Sequence, residues 1–487
     1  MDPAPAIEAE LAVVGAGAAG LNAALVAADA GAHVTLVSAT PLAESASYWA
    51  QGGLAAALAL DDSRERHLED TLRVGRGMVR RSAAEVLTTE APAVVRELER
   101  RGVRFDADRR GRLALGMEGG HSARRIVHAG GAATGRRITR QLSALVAAHE
   151  RIDVLEDCRA VGVLTTAGRC TGLRLHDGRL VGARAVLLAT GGAAALWART
   201  TNPAGSIGAG MLLAHLAGAA LADLEMAQFH PTAVAVAGGA DGFLVTEAVR
   251  GEGALLLDAD GERFVDELAG RDEVARAVAQ RMHDTGATSV GLDMRAVDPA
   301  LFPNVVSVLR RAGIDPAHDL VPVAPAAHYV MGGIATDLEG RATLPGLYAV
   351  GECACTGLHG ANRLASNSLS ECFVFGRRAA LAALDEPSPG SVQEAARSTP
   401  PVPRPTLPEA SRIALWEHAG IERDAVGLRP LLDDPHPLVR LIAACALARE
   451  ESRGAHHRSD FPDVDPTLDE QHTVVRDERD PTLEFWA

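Results

Sequence analysis

Residues 7–38 have the sequence IEAELAVVGAGAAGLNAALVAADAGAHVTLVS, and the fold prediction starts from this stretch. Its first eight residues end in an apolar run, GAGAAG follows at 15–20, and an Ala-rich run leads to a second apolar run over 32–38. This order predicts a strand, a tight turn, a helix and a second strand. The stretch therefore predicts a βαβ unit of about 30 residues, the framework of nucleotide-binding domains.

The glycines of this turn carry the functional signal. Gly15, Gly17 and Gly20 match the GxGxxG pattern between a strand and a helix. The first glycine allows the tight turn, the second lets the backbone approach a pyrophosphate, and the third allows close packing of helix on strand. In this context the pattern predicts a dinucleotide site that includes Ala16. The alternative is a turn that is only rich in Ala and Gly.

The end of the second strand bears on which dinucleotide binds. In NAD-binding units an acidic residue there holds the ribose, whereas Ser38 and Thr40 occupy this region here. Either these hydroxyl groups hold the ribose, or it is held elsewhere. Two further glycine turns, LLATGG at 187–192 and YAVGE at 348–352, resemble those of flavoproteins with two dinucleotide-binding domains. The three turns favour FAD over NAD, with Glu352 as acceptor for the FAD ribitol; the alternative for Glu352 is a solvated carboxylate.

The composition excludes several classes of protein. The chain has 487 residues, of which 47% are hydrophobic and 23% charged, as in globular proteins and unlike disordered chains or disulfide scaffolds. Its formal net charge of −15 argues against a uniform cationic surface for nucleic acid. The sequence contains no Lys, so any cation that binds an anion or takes part in catalysis must be Arg or His.

The cysteines and the apolar segments bear on the compartment. The six cysteines are sparse and form no pairs at metal-binding spacing, so we expect reduced thiols, a cytoplasmic protein and no metal site. The N-terminus lacks the basic region of a secretory signal. The most apolar stretch, 11–30, contains glycines, Asn22 and Asp29, which argues against a membrane span.

Changes in texture along the chain predict its domains. Apolar, strand-like runs followed by glycine turns are frequent up to about residue 226 and appear again after 334. A Pro-rich stretch follows after 386. We therefore expect an α/β fold with an FAD-binding Rossmann-like domain, an inserted α+β capping domain and a C-terminal helical domain. The expected bounds are 1–225 and 335–386 for the FAD-binding domain, 226–334 for the cap, 387–408 for a linker, and 409–487 for the helical domain and an acidic, loosely packed tail.

A series of segments carries a resemblance to a known family. In chain order they are ASYWAQGGLAA (46–56), EGGHSARRIVHAGGAATG (118–135), EMAQFHPT (225–232), LVTEAVRGEGA (244–254), RDEVARAV (271–278), PAAHYVMGGI (325–334), GLHGANRLASNSLSEC (357–372) and REESRGAHHRSDFP (449–462). They run through nearly the whole chain. On these segments the chain resembles the succinate dehydrogenase/fumarate reductase flavoprotein superfamily and, within it, the L-aspartate oxidase family.

The resemblance implies FAD as the cofactor. Respiratory members carry a His that is covalently joined to the flavin, five residues before the Gln of the AQGG segment, whereas Ala46 stands at that position here. The resemblance therefore implies non-covalent FAD. Matching positions and the glycine turns give the expected cofactor-binding residues: Gly15, Ala16, Gly17, Gly20, Ser38, Ser47, Gln51, Gly52, Gly53, Glu352, Ser368 and Leu369.

The expected substrate site follows from the charge of a C4 dicarboxylate. Such a ligand needs cations at both ends, and the matching segments offer four: His230, His328, Arg271 and Arg363. Thr246 can donate to a carboxylate, and Glu118 can pair with an ammonium group; Glu247 has no clear role. The alternatives are hydrogen-bonded core histidines, structural ion pairs of the arginines, and a surface carboxylate for Glu118.

The implied reaction is hydride transfer from C2 of L-aspartate to flavin N5, which gives iminoaspartate. Oxygen or fumarate would reoxidise the flavin, and the reaction would open quinolinate and hence NAD synthesis. In related fumarate reductases an Arg delivers the proton in the reverse direction, and Arg271 stands in the matching segment. Two alternatives remain: a soluble fumarate reductase or succinate oxidase, and an electron-transfer subunit that needs a partner.

Three features depart from the family pattern or extend it. Family members have an Asp that contacts FAD where this chain has Gly208-Ala209-Gly210, and the C-terminal helical region is short. ESRGAHHRSDFP (451–462) predicts a network of ion pairs rather than a metal site.

The expected partners follow from the implied reaction. An association with quinolinate synthase is a hypothesis from the pathway, since iminoaspartate hydrolyses readily. Nucleic acid and membrane are not expected partners.

Overall fold

The structure is a computed structural model, and the residues it describes are 6–388, 390–399, 401, 405–476 and 480–486. Parts of the predicted linker and of the predicted tail therefore lie outside the described residues.

A seven-stranded, largely parallel sheet forms the core of the nucleotide-binding part. Its order in space is Ile152–Leu155, Val34–Val37, Ala6–Val14, Leu180–Leu188, Arg169–Leu175 and Ala160–Thr166, and Leu347–Ala349 also pairs with Leu180–Leu188. The predicted βαβ unit is at its centre, where Leu11 lies opposite Val34 in parallel register. Ligands of such sheets bind outside the carboxyl ends of the strands.

Helices cover both faces of this sheet. The helix Ala18–Asp29 is apolar on nearly all sides and is buried almost throughout, because it packs between the sheet and the helix Asn367–Ala383.

The helices of the FAD-binding part are Ala18–Asp29, Arg64–Val74, Arg81–Arg100, Thr134–Ala147, Ala209–Leu216 and Asn367–Ala383. The short 3-10 helices are Ala46–Trp49, Ala194–Leu196, Pro299–Leu301, Gly351–Cys353, Arg429–Asp433 and Pro466–Leu468.

A four-stranded antiparallel sheet forms the inserted cap. Its order is Ala227–Val234, Val321–Val330, Val290–Asp293 and Leu255–Leu257. The cap helices are Ala248–Gly251, Arg271–Thr285 and Pro303–Arg311. Val245, Val278, Leu292 and Val305 belong to a hydrophobic core separate from the two that cover the central sheet. The α/β fold with an inserted α+β cap is thus confirmed, whereas the bounds of the domains remain predictions.

The C-terminal region joins helices to a strand. Its helices are Glu409–His418, Ala425–Leu428 and Pro437–Ala448, and they pack in the same hydrophobic core as one face of the central sheet. A five-stranded sheet has the order Ala354–Cys355, Gly333–Ala335, Leu221–Ala222, Gln471–Val475 and Thr482–Phe485, and a three-stranded sheet has the order Leu54–Ala55, Ile126–Val127 and Leu115–Gly116. The expectation of a loosely packed tail is wrong for Gln471–Val475, because four of its five residues are buried.

The segment predicted as a linker contains a helix, Val392–Ser398. Val392 and Ala395 are buried against Leu164 and Leu180 of the central sheet. The Pro-rich composition of the segment concealed this short amphipathic helix, whose N-cap Ser391 accepts a hydrogen bond from the Glu394 amide. The described part of this segment is therefore anchored to the sheet.

Candidate functional site

One cavity of about 420 Å³ collects nearly all the residues expected to bind cofactor or substrate. It lies where the carboxyl ends of the parallel strands meet the cap. All six expected substrate residues line it, and so do eleven of the twelve expected cofactor residues: Gly15, Ala16, Gly17, Ser38, Ser47, Gln51, Gly52, Gly53, Glu352, Ser368 and Leu369. The exception is Gly20, which lies beneath the cavity.

The first glycine turn is shaped by close backbone contacts. Gly15 has a φ of +109°, and a Cβ on it would lie 2.2 Å from the Ala189 carbonyl oxygen. A Cβ on Gly20 would lie 1.9 Å from the Gly15 carbonyl oxygen. Gly15 therefore lets the chain turn against the neighbouring strand, and Gly20 lets the helix that follows pack on the turn. Gly20 thus supports the turn rather than facing a ligand.

Short polar groups from the expected cofactor-binding residues, among them Ser38, Ser47 and Gln51, form one wall of the cavity. The Ala18 amide donates to Ser47 Oγ at 3.1 Å, and Ser38 Oγ donates to the Thr40 carbonyl at 2.6 Å. Gln51 Nε2 donates to the carbonyl of Leu244 in the cap at 2.8 Å, while its buried Oε1 has no partner among the described residues. Gln51 therefore bridges the two domains and keeps one acceptor for a ligand.

Glu352 sits at the end of the third glycine turn. Its Oε1 accepts a hydrogen bond from the Val330 amide at 3.2 Å. Burial raises the pKa of the Glu352 carboxyl to about 7, although the Val330 amide favours the carboxylate. The group can therefore donate as well as accept a hydrogen bond near neutral pH, which suits a polyol hydroxyl.

Ala46 and Ala209 mark two departures from the family pattern. Ala46 lines the cavity with a methyl group, which cannot form a covalent bond to a flavin. Ala209 is exposed at the start of the helix Ala209–Leu216 and is not among the described residues that line the cavity. The cavity wall near the second glycine turn is formed by Thr190, Asn202 and Ser206 instead.

His230 presents an unpaired N–H donor. Its Nδ1 accepts a hydrogen bond from the Thr232 amide at 3.3 Å, while Thr232 Oγ1 donates to the Val245 carbonyl at 2.9 Å. Because an amide can only donate, this contact assigns the proton of the neutral ring to Nε2. Nε2 is buried without a partner among the described residues. Burial and the nearby Arg271 hold the pKa of His230 well below its usual range.

His328 lies beside His230, with ring centroids 5.2 Å apart. Its Nδ1 is 2.8 Å from Thr201 Oγ1, and Asn202 Nδ2 donates to its main-chain carbonyl at 2.8 Å. Burial and Arg271 also hold the pKa of His328 well below its usual range. Both imidazoles are therefore neutral, and the positive charge of the site comes from arginines.

Arg271 is held by two side chains. It begins the helix Arg271–Thr285, its Nε donates to Glu247 Oε2 at 2.7 Å, and its Nη1 donates to Gln228 Oε1 at 3.1 Å. Burial alone would raise the pKa of Glu247, but Arg271 and Arg250 hold it at about 2. Glu247 therefore stays ionised and orients the guanidinium.

Arg363 is a buried cation with spare donors. Its guanidinium lies over the Tyr329 ring, 4.6 Å from the centroid, and its Nη1 donates to Ser368 Oγ at 3.3 Å. Its Nε has no partner, and within the described residues the guanidinium forms no ion pair. Burial and repulsion by Arg271 lower the pKa of Arg363 to about 10. These features favour an anionic ligand.

Glu118 is the opposite case, a buried carboxylate. It is 3% exposed, and its Oε2 accepts a hydrogen bond from Ser366 Oγ at 2.6 Å. No cation of the described chain lies within ion-pair distance of it. Thr246 lines the same cavity and is 4% exposed. The six expected substrate residues thus bring together two arginines, two neutral histidines, the hydroxyl group of Thr246 and the carboxyl group of Glu118.

Several contributors to this site were not singled out from the sequence. Gln228 orients Arg271, Tyr329 supports Arg363, and Ser366 contacts Glu118. Gln228 and His230 are two residues apart on one strand, so strand alternation could have placed both on one face. No comparable local signal existed for Ser366. Glu247, whose role was open, is a partner of Arg271.

The 451–462 segment forms the expected ion-pair network. Arg449 pairs with Glu225 and Glu451, and Glu451 also pairs with Arg453. The ligand-type atoms of Cys158, His176 and Asp177 also lie within 4.8 Å of one another. Arg179, however, donates to Asp177 and to Cys158 Sγ, so a guanidinium already occupies the space between them.

The cavity fits a flavin dinucleotide. The Gly15 turn leaves no room for a Cβ, and the helix that follows it directs its N-terminus to the cavity, as binding of a pyrophosphate requires. The unpartnered Oε1 of Gln51 and the buried carboxyl of Glu352 offer groups for a flavin and its ribitol. Its volume is within the usual range for cofactor sites.

Comparison with known families agrees with this fit. Residues 10–369 match the FAD binding domain family, and residues 432–486 match the fumarate reductase flavoprotein C-terminal family. The first match covers most of the chain, and it extends from the first part of the predicted FAD-binding domain through the cap into the second part. In the described residues no helix is long and apolar enough to cross a membrane.

Named relatives narrow the family further. An L-aspartate oxidase of Streptomyces coelicolor is 43% identical, with 99% of this chain and 94% of the relative covered. An L-aspartate oxidase of Caulobacter vibrioides is 46% identical, with 98% of each covered. Among solved structures, a quinol fumarate reductase of E. coli aligns with a TM-score of 0.87 at 28% identity, covering 99% and 96% of the two chains.

Proposed function

Because the chain belongs to the L-aspartate oxidase family of FAD-dependent flavoproteins, we propose that it oxidises L-aspartate to iminoaspartate at the cavity between the FAD-binding domain and the cap. Oxygen or fumarate then accepts the electrons, and the product leads to quinolinate and NAD. The observation that carries the proposal is Glu118, a buried acid with no cationic partner among the described residues, in a cavity that also holds Arg271 and Arg363. A dicarboxylate that also bears an ammonium group supplies all the missing charges.

The two arginines hold the carboxylates of the substrate. Among the described residues Arg363 forms no ion pair and its Nε has no partner, so it can offer two parallel N–H donors to one carboxylate. Arg271 is oriented by Glu247 and Gln228, which leaves part of its guanidinium for the substrate. A site without lysine uses Arg at both places, and the planar fork of Arg fixes orientation as well as charge.

The neutral side chains complete the orientation. The unpartnered Nε2–H of His230 is a donor that is ready for a carboxylate oxygen. His328 lies beside it and Thr246 lines the same cavity, and we assign both to the same carboxylate-binding set. Buried donors of this kind cost stability until a ligand satisfies them, so they favour a ligand with matching acceptors.

Oxidation of L-aspartate removes a hydride from C2 and a proton from the ammonium group, and the proton is released to solvent as the imine forms. FAD held by the glycine turns, Gln51 and Glu352 would supply the hydride acceptor, and oxygen or fumarate would take up the electrons. Glu118 is the carboxylate available to accept a hydrogen bond from the ammonium group. Arg271 is assigned the proton donor of the reverse step, fumarate reduction, because it lines the cavity and Glu247 and Gln228 fix the direction of its guanidinium. Exclusion of water by the cap strengthens each of these contacts.

A soluble fumarate reductase or succinate oxidase is the less well supported alternative. Succinate has no ammonium group, so Glu118 would stay buried beside a dianion without compensation. Ala46 separates this chain from the respiratory members with a covalent flavin, whereas Glu118 is the feature that bears on this alternative. Both features follow from side chains that line the cavity.

Two wider assignments accompany this proposal. Iminoaspartate hydrolyses readily, so direct transfer to quinolinate synthase would protect it, and we keep that association as a hypothesis. We also infer a cytoplasmic location from the cysteines: all six are free, and five of them are buried.

The test is anaerobic flavin absorbance of the purified protein supplied with FAD. L-Aspartate, D-aspartate and succinate are added in turn, followed by oxygen or fumarate. Reduction by L-aspartate alone, with reoxidation by fumarate, is expected. Glu118→Gln is expected to lower turnover of L-aspartate far more than reduction of fumarate. Reduction by succinate, or an equal loss in both assays, would contradict the proposal.

A further inference from the structure

Ser366 has an unusual backbone conformation. It precedes the helix Asn367–Ala383 with a φ of 61° and a ψ of 0°, in the left-handed region. Residues other than Gly, Asn and Asp rarely adopt this region, because their Cβ approaches the carbonyl oxygen. Ser366 is also 5% exposed and lines the cavity. A residue kept in this conformation is a candidate for a functional side chain.

Its hydroxyl group has a defined direction. The Gly53 amide donates to Ser366 Oγ at 3.1 Å, and Ser366 Oγ is 2.6 Å from Glu118 Oε2. An amide can only donate, and a carboxylate can only accept. The hydroxyl hydrogen must therefore point to Glu118. The contact joins the AQGG turn, the start of a helix and the acid in one chain of hydrogen bonds.

Glu118 has one oxygen left after this contact. Ser366 occupies Oε2, whereas Oε1 has no hydrogen-bond partner among the described residues. Oε1 lies 3.5 Å from the place that a Cβ on Gly52 would take, against the same turn. We propose that Ser366 is a positioning residue for substrate specificity: it fixes Glu118 so that Oε1 receives the ammonium group of the amino acid. This inference rests on the proposed function.

The main chain on both sides of Ser366 is anchored. The Ala55 amide donates to the Ser366 carbonyl at 3.2 Å, and His121 Nε2 contacts the Ala365 carbonyl at 2.9 Å. Arg125 Nη1 donates to His121 Nδ1 at 3.2 Å, so the ring proton lies on Nε2 and points to that carbonyl. Arg125 is itself fixed by buried ion pairs with Asp62 and Asp70. This network holds the hydroxyl in place without touching the ligand.

Two variants separate the hydroxyl from the backbone strain. Ser366→Ala removes the hydroxyl and keeps the strain, whereas Ser366→Gly removes the hydroxyl and relieves the strain. In both, kcat/KM for L-aspartate should fall about ten- to a hundredfold, as for the loss of a hydrogen bond to a charged group. Fumarate reduction by the same preparations should change less than about threefold, since fumarate has no ammonium group. Wild-type kinetics for L-aspartate in Ser366→Gly would overturn the inference.

A double-mutant cycle with Glu118 tests the route of the effect. If Ser366 acts through Glu118, then Ser366→Gly should have almost no further effect on L-aspartate in the Glu118→Gln background. Additive losses, or an altered flavin absorbance spectrum in Ser366→Gly, would instead mean that Ser366 acts on the cofactor. Failure of the wild-type protein to reduce its flavin with L-aspartate would contradict the proposed function. Failure of the cycle alone would contradict only this inference.

Discussion

At Arg363 a buried charge is stabilised by an aromatic face and one hydroxyl rather than by an acid. The guanidinium contacts the Tyr329 ring and Ser368 and has a free Nε. A buried cation of this kind destabilises the fold by itself. Burial and the nearby charge of Arg271 disfavour the protonated guanidinium, which lowers the pKa of Arg363 to about 10. A bound dicarboxylate removes that destabilisation, so ligand affinity and protein stability should be coupled at this residue.

Arg363→Gln should therefore weaken catalysis without destabilising the ligand-free fold. We expect kcat/KM for L-aspartate to fall about 10²- to 10³-fold, because the two parallel hydrogen bonds from the guanidinium to a substrate carboxylate are lost. The free energy of unfolding without ligand should not fall. Steady-state kinetics and denaturant unfolding measure the two effects. The control is Arg377→Gln, at an exposed position of the helix Asn367–Ala383, and a loss of catalysis there as well would contradict the argument.

The sequence allowed part of this site to be predicted. Arginines and histidines in a chain without lysine had to provide the cations, and the glycine turns located the nucleotide. The pairing of Glu247 with Arg271 and of Ser366 with Glu118 could not be predicted in this way. These partners come from segments 24 and 248 residues apart, and only the folded chain brings them together.

At the scale of elements, local patterns predicted the βαβ unit but missed the strand Gln471–Val475. Its partner toward the centre of the sheet, Leu221–Ala222, is about 250 residues away along the chain and pairs in antiparallel register with Val474 and Val475. The surrounding sequence is acidic and contains prolines, so its composition resembled a tail. His472 also contacts Asp223 from this strand, at 2.5 Å from Nδ1 to Oδ2. Such long-range pairing leaves almost no local signal.

This strand should contribute measurably to stability. Val475 is fully buried between the C-terminal helices and the central sheet. Val475→Ala removes two methyl groups and leaves a cavity, which should cost about 2 kcal/mol in the free energy of unfolding. Leu483→Ala, on the exposed neighbouring strand, is the matched control and should cost less than about 0.5 kcal/mol. Equal effects in denaturant unfolding would mean that the strand does not belong to the core.

At the scale of the whole molecule, the C-terminal region and the first βαβ unit share one hydrophobic core with the base of the cap. Leu415 and Ile442 of the C-terminal helices pack with Trp197 and with Phe229 of the first cap strand. The cap and both halves of the nucleotide-binding part therefore meet at the cavity. The interior between them also holds many titratable groups. The dependence of the free energy of unfolding on pH should therefore come from buried groups in all parts of the fold.

Histidines held neutral by burial should make the protein sensitive to mild acid. Burial lowers the pKa of His67 from 6.5 to about 3, and it also lowers those of His121, His230, His328 and His456. The unfolded chain binds these protons first as pH falls below about 6.5, because the folded pKa values are the lower ones. The stabilisation is therefore complete above pH 6.5 and declines below it. Each such histidine contributes a slope of up to about 1.4 kcal/mol per pH unit.

His67 offers the clearest single test of this slope. Its ring is completely buried and its Nε2 lies 2.8 Å from Asn367 Oδ1, a contact that a glutamine amide can replace. In His67→Gln the loss of unfolding free energy between pH 6.5 and 5 should be smaller by up to about 2 kcal/mol. His283→Gln, at a side chain that is 85% exposed, should leave the slope as in the wild-type protein. Denaturant unfolding at a series of pH values measures all three proteins, and an unchanged slope in His67→Gln would show that this histidine is not held neutral in the fold.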